Sequence, residues 1–361
     1  MASSVEVLNV GTRESQLAMV QTKHIVEHLR KSHSNVEFNI IGISTKGDKV
    51  LDKPLAKIGD KGLFTKELEV ALADGRVDLV VHSLKDLPSS MPEGMLIGCI
   101  FKREDRRDAL VMSQQNVDAG IKSLQDLPEG SIVGTSSLRR IAQLSLMAHG
   151  RFRCDDVRGN LNTRLRKLDA DDGRYDALVL AAAGMERLGW HDRVTARFAP
   201  EEMLYATGQG ALAIEVRQAD TTVLPLVEAL MDRTTLLECL AERSFLKTLG
   251  GGCSVPIGVS CQVASHGNGK ESLTMTGTVF SLDGSRSVAD TRTAEWSAES
   301  GGGDETLRAV ITGVHVPGKW QHAANQVAAL GERIANSLLE RNAGPLLEEA
   351  RSAIAASVAN P

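Results

Sequence analysis

Ile132-Val-Gly-Thr-Ser-Ser-Leu-Arg-Arg140 and Phe152-Arg-Cys-Asp-Asp-Val-Arg-Gly-Asn-Leu-Asn-Thr-Arg-Leu-Arg-Lys167 are the stretches that decide the fold class. Each begins as a short strand (Ile132–Thr135, Phe152–Val157), passes through small polar residues, and reads as a helix from Ser137 or Asn160. Repeated strand-to-helix units imply largely parallel sheets, with ligands at the C-terminal ends of the strands. Seven arginines fall between Arg139 and Arg166, opposed only by Asp155 and Asp156, although the whole chain carries a net charge of −5. Guanidinium holds a fixed charge and a planar fork of donors suited to carboxylate or phosphate. Helix N-termini add backbone N–H groups that also bind anions. A solvated basic helix face is the bland alternative. Placement at two helix starts favours an anion-binding cleft.

Working outward, Val5–Val10 reads as a buried strand ending at Gly11-Thr12-Arg13, followed by a helix to about Arg30 and a strand at Val36–Ile43. Ser44 to Gly62 is a polar segment, long enough to suggest a lid. Thr65 is a candidate cap for a helix with Glu67 and Glu69 in its first turn. A strand at Asp78–Val81 leads into the turn His82-Ser-Leu-Lys-Asp-Leu-Pro88, Ala177–Leu180 is another strand, and Gly208–Arg217 reads as a return strand. After about Asp232 the texture changes. A helix at Leu236–Leu249 runs into Gly250-Gly-Gly-Cys-Ser-Val-Pro256, and strands at 257–263, 273–280 and 308–314 precede helices at about 322–341 and 345–357. Gly301-Gly-Gly303 reads as a surface loop. The fold class predicted is α/β with mainly parallel sheets, plus a C-terminal α+β domain with a small antiparallel sheet.

Composition narrows the function. A chain of 361 residues, 42% hydrophobic and 24% charged, can bury full cores in two or three domains. A pI near 6.0 and 3% aromatic residues argue against a general nucleic-acid binder. The N-terminus shows no basic region leading an apolar run, and no stretch reads as a membrane span, so neither a signal peptide nor a membrane partner is expected. Five widely spaced cysteines, without a Cys-x-x-Cys pair, fit reduced thiols of the cytosol. His24 and His28 share a helix face, but nothing completes a metal site. Lys85-Asp86, at the end of a strand, is a candidate catalytic pair, with a surface ion pair as the alternative. Cys253, flanked by glycines, is a candidate reactive thiol, with an inert buried thiol as the alternative.

Val80-Val-His-Ser-Leu-Lys-Asp-Leu-Pro88, Gly134-Thr-Ser-Ser-Leu-Arg-Arg140, Val157-Arg-Gly-Asn-Leu-Asn-Thr-Arg164, Ala183-Gly-Met-Glu-Arg187, Gly208-Gln-Gly210 and Gly251-Gly-Cys-Ser-Val-Pro256 occur in this order. Together they closely resemble the porphobilinogen deaminase (hydroxymethylbilane synthase) family, densely over residues 5 to 262 and loosely beyond. The resemblance implies a dipyrromethane cofactor held by a thioether to Cys253. On it, porphobilinogen units would be added to give a linear tetrapyrrole, in a cytoplasmic enzyme acting as a monomer. It implies Asp86 as the catalytic carboxylate. Lys85, Ser83, Thr135, Ser136, Arg139, Arg140, Arg164 and Arg187 would contact cofactor or substrate; Arg13, Arg158 and Gln209 would contact substrate or the growing polypyrrole chain. The segment after Ser44 would cover the cleft. It further implies two domains like those of periplasmic binding proteins, at 1–104 with 206–231 and at 105–205, and a third at 232–361 bearing the Cys. Each pyrrole brings an acetate and a propionate, so a growing polyanion accounts for the arginines. Gly250 departs from the acid that relatives often carry. A non-catalytic two-domain anion-binding protein is the alternative.

Overall fold

The structure is a computed structural model that describes residues 6–49, 62–170, 173–252, 255–267, 269–297 and 308–359. Cys253, Gly301–Gly303 and residues 50–61 of the predicted lid lie outside the described residues.

The first sheet has strands β1 (Glu6–Arg13), β2 (Val36–Ile43), β3 (Leu79–Ser83), β4 (Met95–Phe101), β10 (Leu212–Arg217), β14 (Arg308–Ile311) and β15 (Val314–Pro317), in the order β14-β15-β4-β10-β3-β1-β2. The second sheet has β5 (Asp108–Met112), β6 (Ser131–Gly134), β7 (Phe152–Asp155), β8 (Ala177–Ala181) and β9 (Ala196–Arg197), in the order β7-β6-β8-β5-β9. Strands β1, β2 and β3 pair in parallel, as do β6, β7 and β8. The two strands that arrive from the opposite sheet, β5 and β10, insert antiparallel to their neighbours. The parallel cores are therefore interrupted where the chain crosses. Two α/β domains joined by two crossings follow from this topology, and the expected return strand is the central β10.

A third, antiparallel sheet joins β11 (Ile257–His266), β12 (Lys270–Phe280) and β13 (Ser287–Ser297). Here the sequence expectation needs correcting. The third strand of this sheet is β13, whereas the strand expected at 308–314 is part of the β14–β15 hairpin on the edge of the first sheet, where Val314 pairs with Ile97. The residues of β13 are mostly exposed on both faces until Ala294 and Trp296, so it lacks the apolar alternation that marks a half-buried strand.

Packing links the parts unequally. One continuous core runs from Leu8, Val10 and Phe38 through Leu236, Leu240 and Phe245 to Met275, Leu330 and Leu347, uniting the first sheet with the C-terminal part. The second sheet has its own two apolar layers, one around Leu110, Val133 and Leu144 and another around Val111, Leu165 and Leu178. Helix starts at Ser137 and Asn160 fall where the sequence places them, although neither side chain makes a capping bond. The Ser15 hydroxyl accepts from Ala18 N at 3.4 Å before the helix Gln16–Ser32. Asn160 precedes the helix Leu161–Leu168. Thr65 sits at the predicted N-cap, but its φ of −120° and ψ of −29° turn the hydroxyl away, and it makes no capping bond.

Candidate active site

A cavity of about 250 Å³ opens between the two α/β domains, where the C-terminal ends of their strands face one another. Ser83 ends β3, and a single 3-10 turn, Leu84–Asp86, lifts Lys85 and Asp86 onto the cavity wall. Arg13 reaches the same wall from the end of β1. Arg140 comes from the first turn of the helix Leu138–Ala148, Arg158 and Arg164 from the β7-to-helix turn and the helix after it, and Arg187 from the end of the helix Ala182–Arg187. Gly159 allows the sharp turn between Arg158 and Asn160. Its φ is +107°, and a Cβ there would lie 2.7 Å from Thr163 Cγ2.

The charge balance is lopsided. Among the described residues, six cations line the cavity (Arg13, Lys85, Arg140, Arg158, Arg164 and Arg187) against one carboxylate, Asp86. Arg13 is already committed: its Nη2 lies 2.5 Å from Asp48 Oδ1, and its guanidinium stacks 4.2 Å from the Phe64 ring centre. It holds the first described end of the predicted lid at Asp48 and packs on Phe64, two residues past the lid's other end. Arg164 Nε donates to Gly159 O at 2.7 Å and Arg187 Nη2 to Gly210 O at 2.7 Å. Among the described residues neither forms an ion pair, nor does Arg158, whose Nη1 is buried without a hydrogen-bond partner. Burial, with the neighbouring charges of Arg140 and Arg158, pushes Arg164 down to about 10, and burial pushes Arg187 down to about 10. Burial likewise lowers Lys85 to about 8, against the favourable charge of Asp86. Arg158, Arg164 and Arg187, with no ion pair among the described residues, are costly to bury unless a ligand supplies the charge. The donor set fits a ligand with several carboxylates.

Eight of the predicted site residues thus meet at one cavity: Arg13, Ser83, Lys85, Asp86, Arg140, Arg158, Arg164 and Arg187. Four stand behind its wall. Thr135 is buried, its hydroxyl accepting from Ser137 N, and Ser136 Oγ donates to Val157 O at 2.6 Å. Arg139 Nη1 donates to Leu204 O and to Asp108 Oδ2, each at 2.6 Å. Gln209 donates from Nε2 to Arg106 O at 2.8 Å and to Asp108 Oδ1 at 2.9 Å. Asp108 is the residue that sequence reading missed. Burial would raise its carboxyl, yet the Arg139 and Arg140 guanidiniums outweigh that and hold it well below the usual carboxylate range. The available signal was an acid opening the otherwise apolar strand Asp108-Ala-Leu-Val-Met112. Gln21, buried beside the cavity and bonded to Ser83 Oγ at 3.1 Å, was also missed.

The cysteines divide by environment. Cys99, Cys239 and Cys261 are buried, and burial pushes each thiol up; Cys154, half-buried, is pushed up to about 11. None of these four favours the thiolate that acts as nucleophile. The His24 and His28 rings pack edge to face at 4.6 Å and meet the Phe101 ring at 5.5 and 5.0 Å, and among the described residues no group of three or more His, Cys, Asp or Glu is placed to hold a metal. Also among the described residues, no helix is long and apolar enough to cross a membrane.

Residues 8–225 match the family described as porphobilinogen deaminase, dipyromethane cofactor binding domain, and residues 236–304 match the porphobilinogen deaminase C-terminal domain. A porphobilinogen deaminase of Gloeobacter violaceus is 53% identical over 275 residues, covering 76% of this chain and 81% of the relative. Relatives of the same name from Synechococcus sp. (strain RCC307) and Synechococcus elongatus are 52% and 51% identical, covering 78% and 80% of this chain and 86% and 87% of their own. An arginine-lined cleft with a Lys-Asp turn at its wall, in a chain that matches both family domains and relatives about 50% identical, leads to one conclusion: the chain belongs to the porphobilinogen deaminase family.

Proposed function

We infer that this enzyme of tetrapyrrole synthesis is a transferase, hydroxymethylbilane synthase, which condenses four porphobilinogen molecules with one water into hydroxymethylbilane and releases four ammonia. The carrying observation is the cavity whose described lining holds six cations and one carboxylate. In each coupling the aminomethyl C–N bond breaks, a C–C bond forms between that methylene and a pyrrole carbon, and one ring proton is lost. A dipyrromethane group attached through Cys253 supplies the anchored pyrrole at which the chain begins.

The remaining chemistry belongs to the chain's own residues. Asp86 stands on the cavity wall with a negative charge, opposite the positive charge that develops on the pyrrole when ammonia leaves. It can hold that charge and then accept the proton lost on coupling. Lys85, Arg140, Arg158, Arg164 and Arg187 bind acetate and propionate groups by charge-assisted hydrogen bonds. Leu17, Leu161, Leu180 and Leu188 form an apolar part of the lining and limit water around the ring. Asp48, held by Arg13, anchors one described end of the lid. The protein is expected to act in the cytoplasm as a monomer.

Intact-mass measurement paired with bilane formation tests this reading. The unmodified protein should carry added mass equal to two pyrrole units and convert porphobilinogen, while Cys253→Ala should show the bare mass and no conversion. An active Cys253→Ala protein with no added mass would refute it.

A further inference from the structure

The family resemblance places Gln209 on the substrate, yet its side chain has no room for that role. Gln209 is 1% exposed and does not line the cavity. An amide nitrogen has two protons to give, and both are used, on Arg106 O and Asp108 Oδ1. Both partners are acceptors, so they dictate which way the amide points. Asp108 is itself wholly buried. Its Oδ2 accepts from Arg139 Nη1 at 2.6 Å, and its Oδ1 accepts from Arg140 Nε at 3.1 Å and Nη2 at 2.7 Å as well as from Gln209. Arg140 gives its remaining Nη1 to Val179 O at 2.9 Å. One carboxylate therefore sets two guanidinium planes, and the trio keeps a net charge of +1 beside the cavity that Arg140 lines.

The same spot is where the chain crosses between domains. Asp108 opens β5 directly after the first crossing, and Gln209 lies on the second. Alongside, Glu104 N donates to Gly210 O at 3.2 Å, and Gly210, at a φ of +88°, sits so close that a Cβ would lie 2.6 Å from Glu104 O. The arginine pair is thus keyed to both crossings through one acid.

We propose that Asp108 and Gln209 are positioning residues for the arginine pair: Asp108 aims Arg139 and Arg140, and Gln209 holds Asp108, acting on the ligand only through these guanidiniums. The proposal rests on the reading of the cleft as a polycarboxylate site. Its test is a double-mutant cycle in the Cys253→Ala protein, using calorimetric binding of mellitate (benzenehexacarboxylate) as the probe, so no turnover is needed. Gln209→Met keeps the length and removes the amide, and should weaken mellitate binding by about tenfold, the worth of one hydrogen bond to a charged group. In an Asp108→Asn background the same change should cost less than about threefold, because residues acting as one unit are not additive. A second full tenfold loss there would show Gln209 acting on the ligand directly and overturn the proposal, as would an absence of mellitate binding before any change. If Asp108→Asn does not melt cooperatively, Arg140→Lys replaces it as the second arm, with the same two outcomes. Porphobilinogen conversion by the unmodified protein is scored separately. Its absence would remove the enzymatic reading and leave the cycle intact.

Discussion

Lys85 offers a measurement that separates a ligand-binding cation from a structural one. Its ammonium ordinarily titrates at 10.5, and burial lowers that to about 8. Below pH 8 the lysine is charged in both the folded and the unfolded chain, so its full desolvation cost weighs on the fold. Between pH 8 and 10.5 the folded protein gives up the proton while the unfolded chain keeps it, and stability rises with pH. The slope approaches about 1.4 kcal/mol per pH unit, and the gain is capped at about 3 kcal/mol. The cap is not reached in full, since Lys85 retains partial solvent contact. The experiment compares urea denaturation of Cys253→Ala with that of Cys253→Ala/Lys85→Met from pH 7.5 to pH 10. Both proteins share every other titration, so only the lysine separates their curves. The methionine variant should be favoured most at pH 7.5 and lose that advantage as pH rises. Curves that stay parallel over this range would show that burial does not oppose the ammonium charge, and the argument from buried cations would fail.

Asp86 and the arginines call for kinetics. Asp86→Asn keeps the shape and deletes the charge, so folding and intact mass should be retained while the rate of bilane formation falls by at least ~10²-fold. Asp86→Glu should keep part of the activity, and near-normal turnover in Asp86→Asn would move the catalytic role elsewhere. Arg140 and Arg158 should differ. Arg140→Gln leaves Asp108 with one guanidinium fewer and should impair assembly of the added mass. Arg158→Gln removes a buried fork with an unused Nη1 and should weaken substrate retention by about ten- to a hundredfold. Mass spectra and rates indistinguishable from the unmodified protein for both variants would contradict the cleft assignment.

What the sequence made legible was local. Strand-to-helix units around Ser137 and Asn160, and the turn bearing Lys85 and Asp86, follow from periodicity and small polar residues within ten positions of one another. Such signals marked Arg13, Lys85, Asp86 and the arginines from Arg139 to Arg166, whereas Ser83 and Arg187 came only from the family resemblance. The hidden part depends on long-range pairing. Asp108 meets Arg139 across 31 positions and Gln209 across 101, and no local pattern distinguishes a buried acid from a solvated one. The β14–β15 hairpin was misplaced for the same reason, because its pairing with β4 is set by tertiary packing.

The unevenness of that legibility bears on how the cleft works. Most residues readable from local motifs are on the cavity wall, at strand ends and helix starts. Asp108, which needed the structure, stands behind it and fixes the direction of two forks. A guanidinium on a long side chain spends considerable rotamer entropy when it binds. Arg140, already held by Asp108 and Val179 O, has spent most of it before a ligand arrives. Arg158 has no such hold on its Nη1. The arginines of the cleft should therefore differ in kind. Arg140 is a fixed anion seat near the domain crossings. Arg158 is a looser fork, able to follow a ligand whose position changes as it grows.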